Sequence, residues 1–151
     1  MISLPQITVV IADCKNYSQA LVSLKQTLNR IRPYKALFFT DIDFDPQEEQ
    51  ITVIKIPAIK SLKEYSQFII KDLYAYIQTD FVLIQQWDSW VINESVWMDD
   101  FLKYDVIGAT WGYKDSRNVG QGGFCIHSKR LHEVLAKGEK ISITFPDDEI
   151  I

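Results

Sequence analysis

Asp13, Asp41 and Asp88 each stand just after a short apolar run. In open α/β sheets ligands bind beyond the carboxyl ends of the strands, so a carboxylate there can meet a substrate or a cation. Asp88 is the most informative, because it follows Phe81-Val82-Leu83-Ile84 and sits in Gln85-Gln86-Trp87-Asp88-Ser89-Trp90. If the chain stays extended, Gln86, Asp88 and Trp90 share one side and present an amide, a carboxylate and an aromatic face together. The other reading is a turn aspartate that caps the next segment. Glycine is the second concentration: Gly108, Gly112, Gly120, Gly122 and Gly123 hold five of the six, which signals close backbone approach. Gly120-Gln121-Gly122-Gly123 is not a dinucleotide fingerprint, since it precedes a predicted strand and lacks the acidic residue downstream. A Rossmann dehydrogenase is thereby excluded. Cys14 and Cys125 are too few for a zinc site and read as reduced core thiols. His127 and His132 read as ordinary strand and helix residues.

The elements that must position these residues alternate. Gln6-Ile7-Thr8-Val9-Val10-Ile11-Ala12 predicts a buried strand. Ala20, Leu21, Leu24, Leu28 and Ile31 predict an amphipathic helix, entered through Asn16 as N-cap with Gln19 as its partner and stopped by Pro33. Strands follow at 36–40 and 51–56. Ser61 and Glu64 form a capping box for a second helix, whose apolar face is Leu62, Tyr65, Ile69, Leu73 and Tyr76. A central strand at 81–84, a short helix at 96–102, strands at 104–109 and 124–127, a helix at 128–136 and a last strand at 141–145 complete the pattern. Strand, helix, strand alternation of this kind predicts one layered α/β domain over 1–151.

Composition bounds the partners. The 151 residues are 47% hydrophobic, enough to bury a core, which excludes a disordered chain. Net charge is -4, and the second half, 76–151, holds seven basic against twelve acidic side chains. No positive excess is available to coat a nucleic acid. A phosphate masked by a metal remains compatible. No window reaches the roughly 18 apolar residues of a membrane span, and Met1 to Gln6 does not resemble a secretory signal, so the expected location is cytoplasmic.

Four blocks then carry a resemblance: Tyr65-Ser66-Gln67-Phe68; Thr79-Asp80-Phe81-Val82-Leu83-Ile84-Gln85-Gln86-Trp87-Asp88; Trp97 with Phe101-Leu102-Lys103-Tyr104-Asp105-Val106-Ile107-Gly108-Ala109-Thr110-Trp111; and Val119-Gly120-Gln121-Gly122-Gly123-Phe124. In order and spacing the chain resembles the GT-A glycosyltransferases, the nucleotide-diphospho-sugar transferases, over about residues 6–150. The resemblance implies a mixed, mostly parallel sheet flanked by helices, with a sugar nucleotide at the strand ends. It gives Asp88 the place of the last acid in an Asp-x-Asp motif that ligates Mn2+ or Mg2+ on the donor diphosphate. Gln86 stands where the first acid would be, and its amide oxygen is a weaker ligand, so metal affinity is expected to fall.

Asp13 is placed by the resemblance near the nucleoside, with Tyr65 facing the same region; a helix-entry cap and a core aromatic are the other readings. Gly122 and Gly123 line the place where donor sugar and acceptor meet, and Trp111 stacks on a sugar face or packs in the core. Lys114 and Arg117 fall in a polar loop that either helps neutralise the leaving diphosphate or is simply an exposed loop with two cations. Asp147 and Asp148 resemble the pair that supplies the catalytic base, and because relatives continue past this pair, an acceptor-side segment is expected to be missing. The expected function is transfer of a sugar from a nucleotide diphosphate to an acceptor hydroxyl, for instance in polysaccharide biosynthesis. The alternatives are a non-catalytic nucleotide- or sugar-binding module derived from that fold, and an unrelated α/β nucleotide-binding regulator.

Overall fold

A computed structural model describes residues 1–110 and 122–138. Strands β1 (Ile2–Ala12), β2 (Ile31–Thr40), β3 (Ile51–Lys55), β4 (Phe81–Gln85), β5 (Val106–Gly108) and β6 (Phe124–Ser128) form one sheet. Their order is β3-β2-β1-β4-β6-β5. β1, β2, β3 and β4 run parallel, whereas β6 is antiparallel to both of its neighbours. The sheet is therefore mixed and mostly parallel, as the sequence implied. The chain moves outward from β1 to β3 and then returns to the far side of β1 as β4. That reversal creates a switch point between the carboxyl ends of β1 and β4, where crossover loops part and leave a crevice.

Alternation along β1 divides the core into two layers. Ile7, Val9 and Ile11 face helix α1 (Tyr17–Leu28) and pack with Ala20, Leu24, Leu28, Phe38 and Leu83. Val10 and Ala12 face the other way, against Tyr65, Phe68, Ile69 and Leu73. Those residues belong to α2 (Leu62–Gln67) and its continuation, a π turn over Phe68–Asp72 and a 3-10 turn over Leu73–Tyr76. Helix α3 (Lys129–Lys137) lies on the same side, where the Lys71 ammonium donates to the carbonyls of Leu135 and Gly138 at 2.7 and 2.6 Å and satisfies its last turn. Among the described residues no helix is long and apolar enough to cross a membrane.

Several elements differ from the sequence expectation, each for a local reason. α1 ends at Leu28, and Pro33 lies inside β2 instead of stopping a helix. Pro33 is tolerated because it pairs with Leu4 beside a register irregularity in β1, where the missing N–H breaks no regular ladder. β1 likewise begins at Ile2, earlier than its β-branched stretch. Asn16 makes no side-chain cap to α1, and the Asp13 carboxylate closes the loop before the helix by accepting from the N–H groups of Lys15, at 2.7 Å, and Asn16. In α2 the Ser61 cap forms as expected, with the Glu64 N–H donating to Ser61 Oγ at 3.2 Å. The expected apolar stripe breaks at both ends, since Leu62 is exposed and the π turn shifts the phase so that Phe68, Ile69 and Ile70 are all buried. Residues 96–102 make two 3-10 turns, Glu94–Val96 and Asp99–Lys103, in place of one helix. The strand expected at 141–145 lies outside the described residues.

The two histidines are less ordinary than their sequence positions suggest. Cys125 Sγ lies 3.2 Å from His127 Nε2, and His127 Nδ1 lies 3.2 Å from His132 Nε2, all buried. The groups are strung in a line through opposite ring edges, so they do not converge on a point where a metal could sit. Burial lowers the pKa of His127 to about 3, with the neighbouring His132 adding to the effect, and burial lowers that of His132 to about 4. Both rings are neutral in the fold, whereas in the unfolded chain they titrate near 6.5. The unfolded state therefore binds more protons below that value, and stability falls as pH drops from about 6.5 toward 4. We expect urea unfolding to show a loss on the order of 2 kcal/mol or more between pH 7 and pH 5. Carboxylates titrate mostly below this window, so equal midpoints at the two values would refute the neutral-pair assignment.

Candidate functional site

Register brings the candidate residues to one edge. Ile11 is paired with Gln85 across β1 and β4, so Asp13 and Gln86 leave the sheet side by side at the switch point. Gln85 is paired with Phe124, and because β6 is antiparallel, its beginning meets the end of β4. The Gln86 N–H donates to the Gly123 carbonyl at 3.0 Å, which places Gly122 and Gly123 beside Gln86. A Cβ on Gly123 would come within 3.3 Å of Gln86 Oε1, so glycine here lets the amide lie against the backbone. The segment after β4 and the described end of the glycine block thus form one wall.

Extension stops at Gln85, so Gln86, Asp88 and Trp90 do not project as a continued strand. Residues 86–89 close a turn through Ser89 N–H to the Gln86 carbonyl at 3.2 Å, with Trp87 and Asp88 at its tip. Gln86 stays against Gly123, while Asp88 is exposed and, with Trp87 and Trp90, faces α1 across a groove. The turn is anchored from beneath by a network that the sequence reading missed. The fully buried Gln85 side chain accepts from Thr27 Oγ1 at 2.8 Å and donates to Ser23 Oγ at 2.8 Å and to the Ser89 carbonyl at 3.2 Å. Ser23 Oγ in turn lies 3.1 Å from the Gln86 carbonyl, and Ser89 Oγ lies 3.0 Å from that of Gly123. The available signal was a glutamine ending an apolar strand together with Ser23 and Thr27 on the otherwise apolar face of α1.

Other candidates fall in different settings. The Asp13 backbone N–H donates to the Phe39 carbonyl at 3.0 Å, and its carboxylate serves the loop into α1. Tyr65 is buried in the cluster that holds Ala12, Phe39 and Ile56, near the ends of β1, β2 and β3. Cys14 lies beside Asp41; burial pushes its thiol above the usual value, the Ile59 backbone opposes this, and the Asp41 carboxylate adds to the rise. A protonated thiol is a poor nucleophile. Trp111, Asp147, Asp148, Lys114 and Arg117 lie outside the described residues. Among the described residues no three His, Cys, Asp or Glu side chains gather as cation ligands. Asp88 and Gln86 bring hard oxygen donors that suit Mg2+ or Mn2+, but too few to hold one without oxygens from a bound diphosphate.

A family model described as "Protein of unknown function (DUF5672)" matches residues 49–149, more than half of the chain. The chain belongs to that family. The DUF5672 match spans Tyr65, Gln86, Asp88 and Gly123, and leaves β1 and α1 outside it. No curated protein matches this DUF5672 chain. Solved structures do match its fold. The mannosyltransferase PcManGT from Pyrobaculum calidifontis, in complex with GDP-Man and Mn2+, superposes with a TM-score of 0.63 at 9% identity, covering 97% of this chain and 51% of that one. The galactosyltransferase LgtC, in complex with donor and acceptor sugar analogs, gives 0.62 at 15%, covering 95% and 68%. The glycosyltransferase GlyE of Streptococcus pneumoniae TIGR4 gives 0.56 at 14%, covering 97% and 42%. The DUF5672 chain therefore has the GT-A fold, and it spans about half the length of the mannosyltransferase.

Gln85 tests the site's dependence on its buried network. Gln85→Leu leaves the Thr27 and Ser23 hydroxyls short of a buried partner, and loss of about 1–3 kcal/mol is expected in urea unfolding. A change below about 0.5 kcal/mol would mean that the turn is held by other means.

Proposed function

We propose that the chain binds a nucleotide-diphosphate sugar at the switch point between β1 and β4 and transfers the sugar to an acceptor hydroxyl. The observation that carries this reading is the junction of Asp13, the 86–89 turn and Gly123 at one sheet edge of a GT-A fold. Asp13 and the end of β2 would flank the nucleoside, and Tyr65 would support that wall from the core. The turn after β4 would meet the diphosphate, with Gly122 and Gly123 leaving space for a sugar ring. A divalent cation, where used, would neutralise the leaving diphosphate, and Asp88 is the residue that would hold it together with the diphosphate oxygens.

Transfer passes through an oxocarbenium-like centre at the anomeric carbon, as in glycoside hydrolysis, so a carboxylate must take the acceptor proton as that bond forms. Asp147 or Asp148 is assigned this role, with Trp111 against a sugar face. Holding donor and acceptor in line contributes more than the base, because it removes the entropy cost of bringing two molecules together. A second reading, a module that binds the nucleotide or sugar without turnover, is favoured by Gln86 in place of a first acid.

A thermal-shift screen of sugar nucleotides with and without Mn2+ tests the binding, because a ligand of the native state raises its stability. At least one is expected to raise the midpoint, and Asp88→Ala should weaken the Mn2+-dependent part by about tenfold or more. No shift with any donor would sink the proposal. For catalysis, Asp147→Asn or Asp148→Asn should lower transfer by about 100-fold or more while donor binding is retained. Binding without transfer in the unaltered chain would select the module reading.

A further inference from the structure

A groove of about 590 Å3 lies between α1 and the 86–89 turn, walled by Gln19, Val22 and Gln26 on one side and Trp87, Asp88 and Trp90 on the other. The volume falls within the range of about 300–1,000 Å3 common for small-molecule sites. Trp87 and Trp90 are each 44% exposed, and Val22 is 59% exposed, an arrangement that leaves indole surface to water next to an aliphatic side chain. Around this apolar floor stand two amides and one carboxylate. Among the described residues no lysine or arginine lines the groove.

From this geometry we propose that the groove is a binding subsite for a neutral saccharide, adjoining the proposed donor site and sharing the 86–89 turn with it. A pyranose has one face of C–H groups and a rim of hydroxyls. The C–H face suits the negative π face of an indole, and the rim suits amides, which donate and accept, and a carboxylate, which accepts from hydroxyls. The Asp88 charge in the wall disfavours a phosphorylated or otherwise anionic ligand. The two walls are tied to each other: Ser23 of α1 bonds the carbonyls of both Gln86 and Ser89, the residues that flank Trp87 and Asp88. The indoles are thus presented on a turn that is already anchored, which lowers the ordering cost of a weak ligand. This subsite adds a place for a glycan to the function proposed above, yet it stands without it, since saccharide binding requires no nucleotide.

The test uses the full chain with lactose, cellobiose, maltose and mannobiose at millimolar concentrations and no nucleotide, read by saturation-transfer NMR and by tryptophan fluorescence. At least one disaccharide should bind. Trp87→Ala and Trp90→Ala should each weaken binding by about tenfold or more, while Trp87→Phe, which keeps a ring face, should remain within about threefold. Circular dichroism of the variants separates lost binding from lost folding, and the Phe variant keeps the test decisive if an alanine variant unfolds. The proposal is overturned if no disaccharide binds, or if binding is indifferent to both alanine substitutions. It is also overturned if the chain self-associates in a manner abolished by Trp87→Ala, since a second copy would then cover the groove. The saccharide titration contains no nucleotide and the thermal-shift screen of the unaltered chain uses sugar nucleotides, so failure of the subsite and failure of donor binding are read separately.

Discussion

The candidate site depends on one buried amide. Gln85 is the last residue of β4 and has no solvent exposure, so each of its polar atoms must find a partner or cost the desolvation of an unpaired group. Its partners come from α1 and from the turn that it precedes. A leucine at this point would bury as well but would remove the amide's tie to the turn and leave the Ser23 bonds to hold the turn to α1. The amide therefore converts helix packing into a positional constraint: α1 is held by its apolar face, and the turn is held by α1. Gly123 joins the same unit through the Gln86 N–H and the Ser89 hydroxyl, so three segments far apart in sequence move as one.

Topology explains why these segments meet at all. A chain running β1, β2, β3 outward and returning at β4 must leave the ends of β1 and β4 adjacent with their loops diverging. Insertion of β6 antiparallel to β4 then brings the start of β6, with its glycines, to the same edge. A parallel strand in that place would have brought its end there, and the glycine block would lie across the molecule. Fold similarity to glycosyltransferases at such low identity is understandable in these terms, because strand order and direction create the crevice before any particular side chain fills it.

Much of the fold was legible in the sequence because burial leaves periodic marks. β-branched runs gave β1, β3 and β4, and the Ser61 and Glu64 pair gave the start of α2. What was hidden was decided by partners far along the chain. Pro33 reads as a helix stop until its place beside an irregular β1–β2 register is seen. Gln85 reads as a loop residue because Ser23 and Thr27 are about sixty positions away. Asn16 stands at the N-cap position without a side-chain cap bond, and its own N–H is taken by Asp13, which is fixed by its N–H to Phe39. Of the candidate site, the strand-end carboxylates and the pairing of the β4 exit with the glycines were accessible from spacing and resemblance, whereas the turn that parts Gln86 from Asp88 was not.

Were the site to take the anionic donor proposed above, Gln86 would change its electrostatics. Asp13, Asp41 and Asp88 all belong to the carboxyl edge, but they are not equivalent. Asp13 is occupied by backbone N–H groups, and Asp41 lies beside the Cys14 thiol, so Asp88 on its exposed turn is the carboxylate most open to an outside partner. A second carboxylate at position 86 would strengthen cation binding, yet it would also set another negative charge against a diphosphate. At about 4 Å in water such a repulsion is worth roughly 1 kcal/mol, and more where solvent is excluded. Gln86 removes that charge and keeps an oxygen, so an amide here weakens the need for a cation at the same time as it weakens the site that would hold one. The two effects would pull the affinity of such a donor in opposite directions, with a balance set by how far it shut water out of the site.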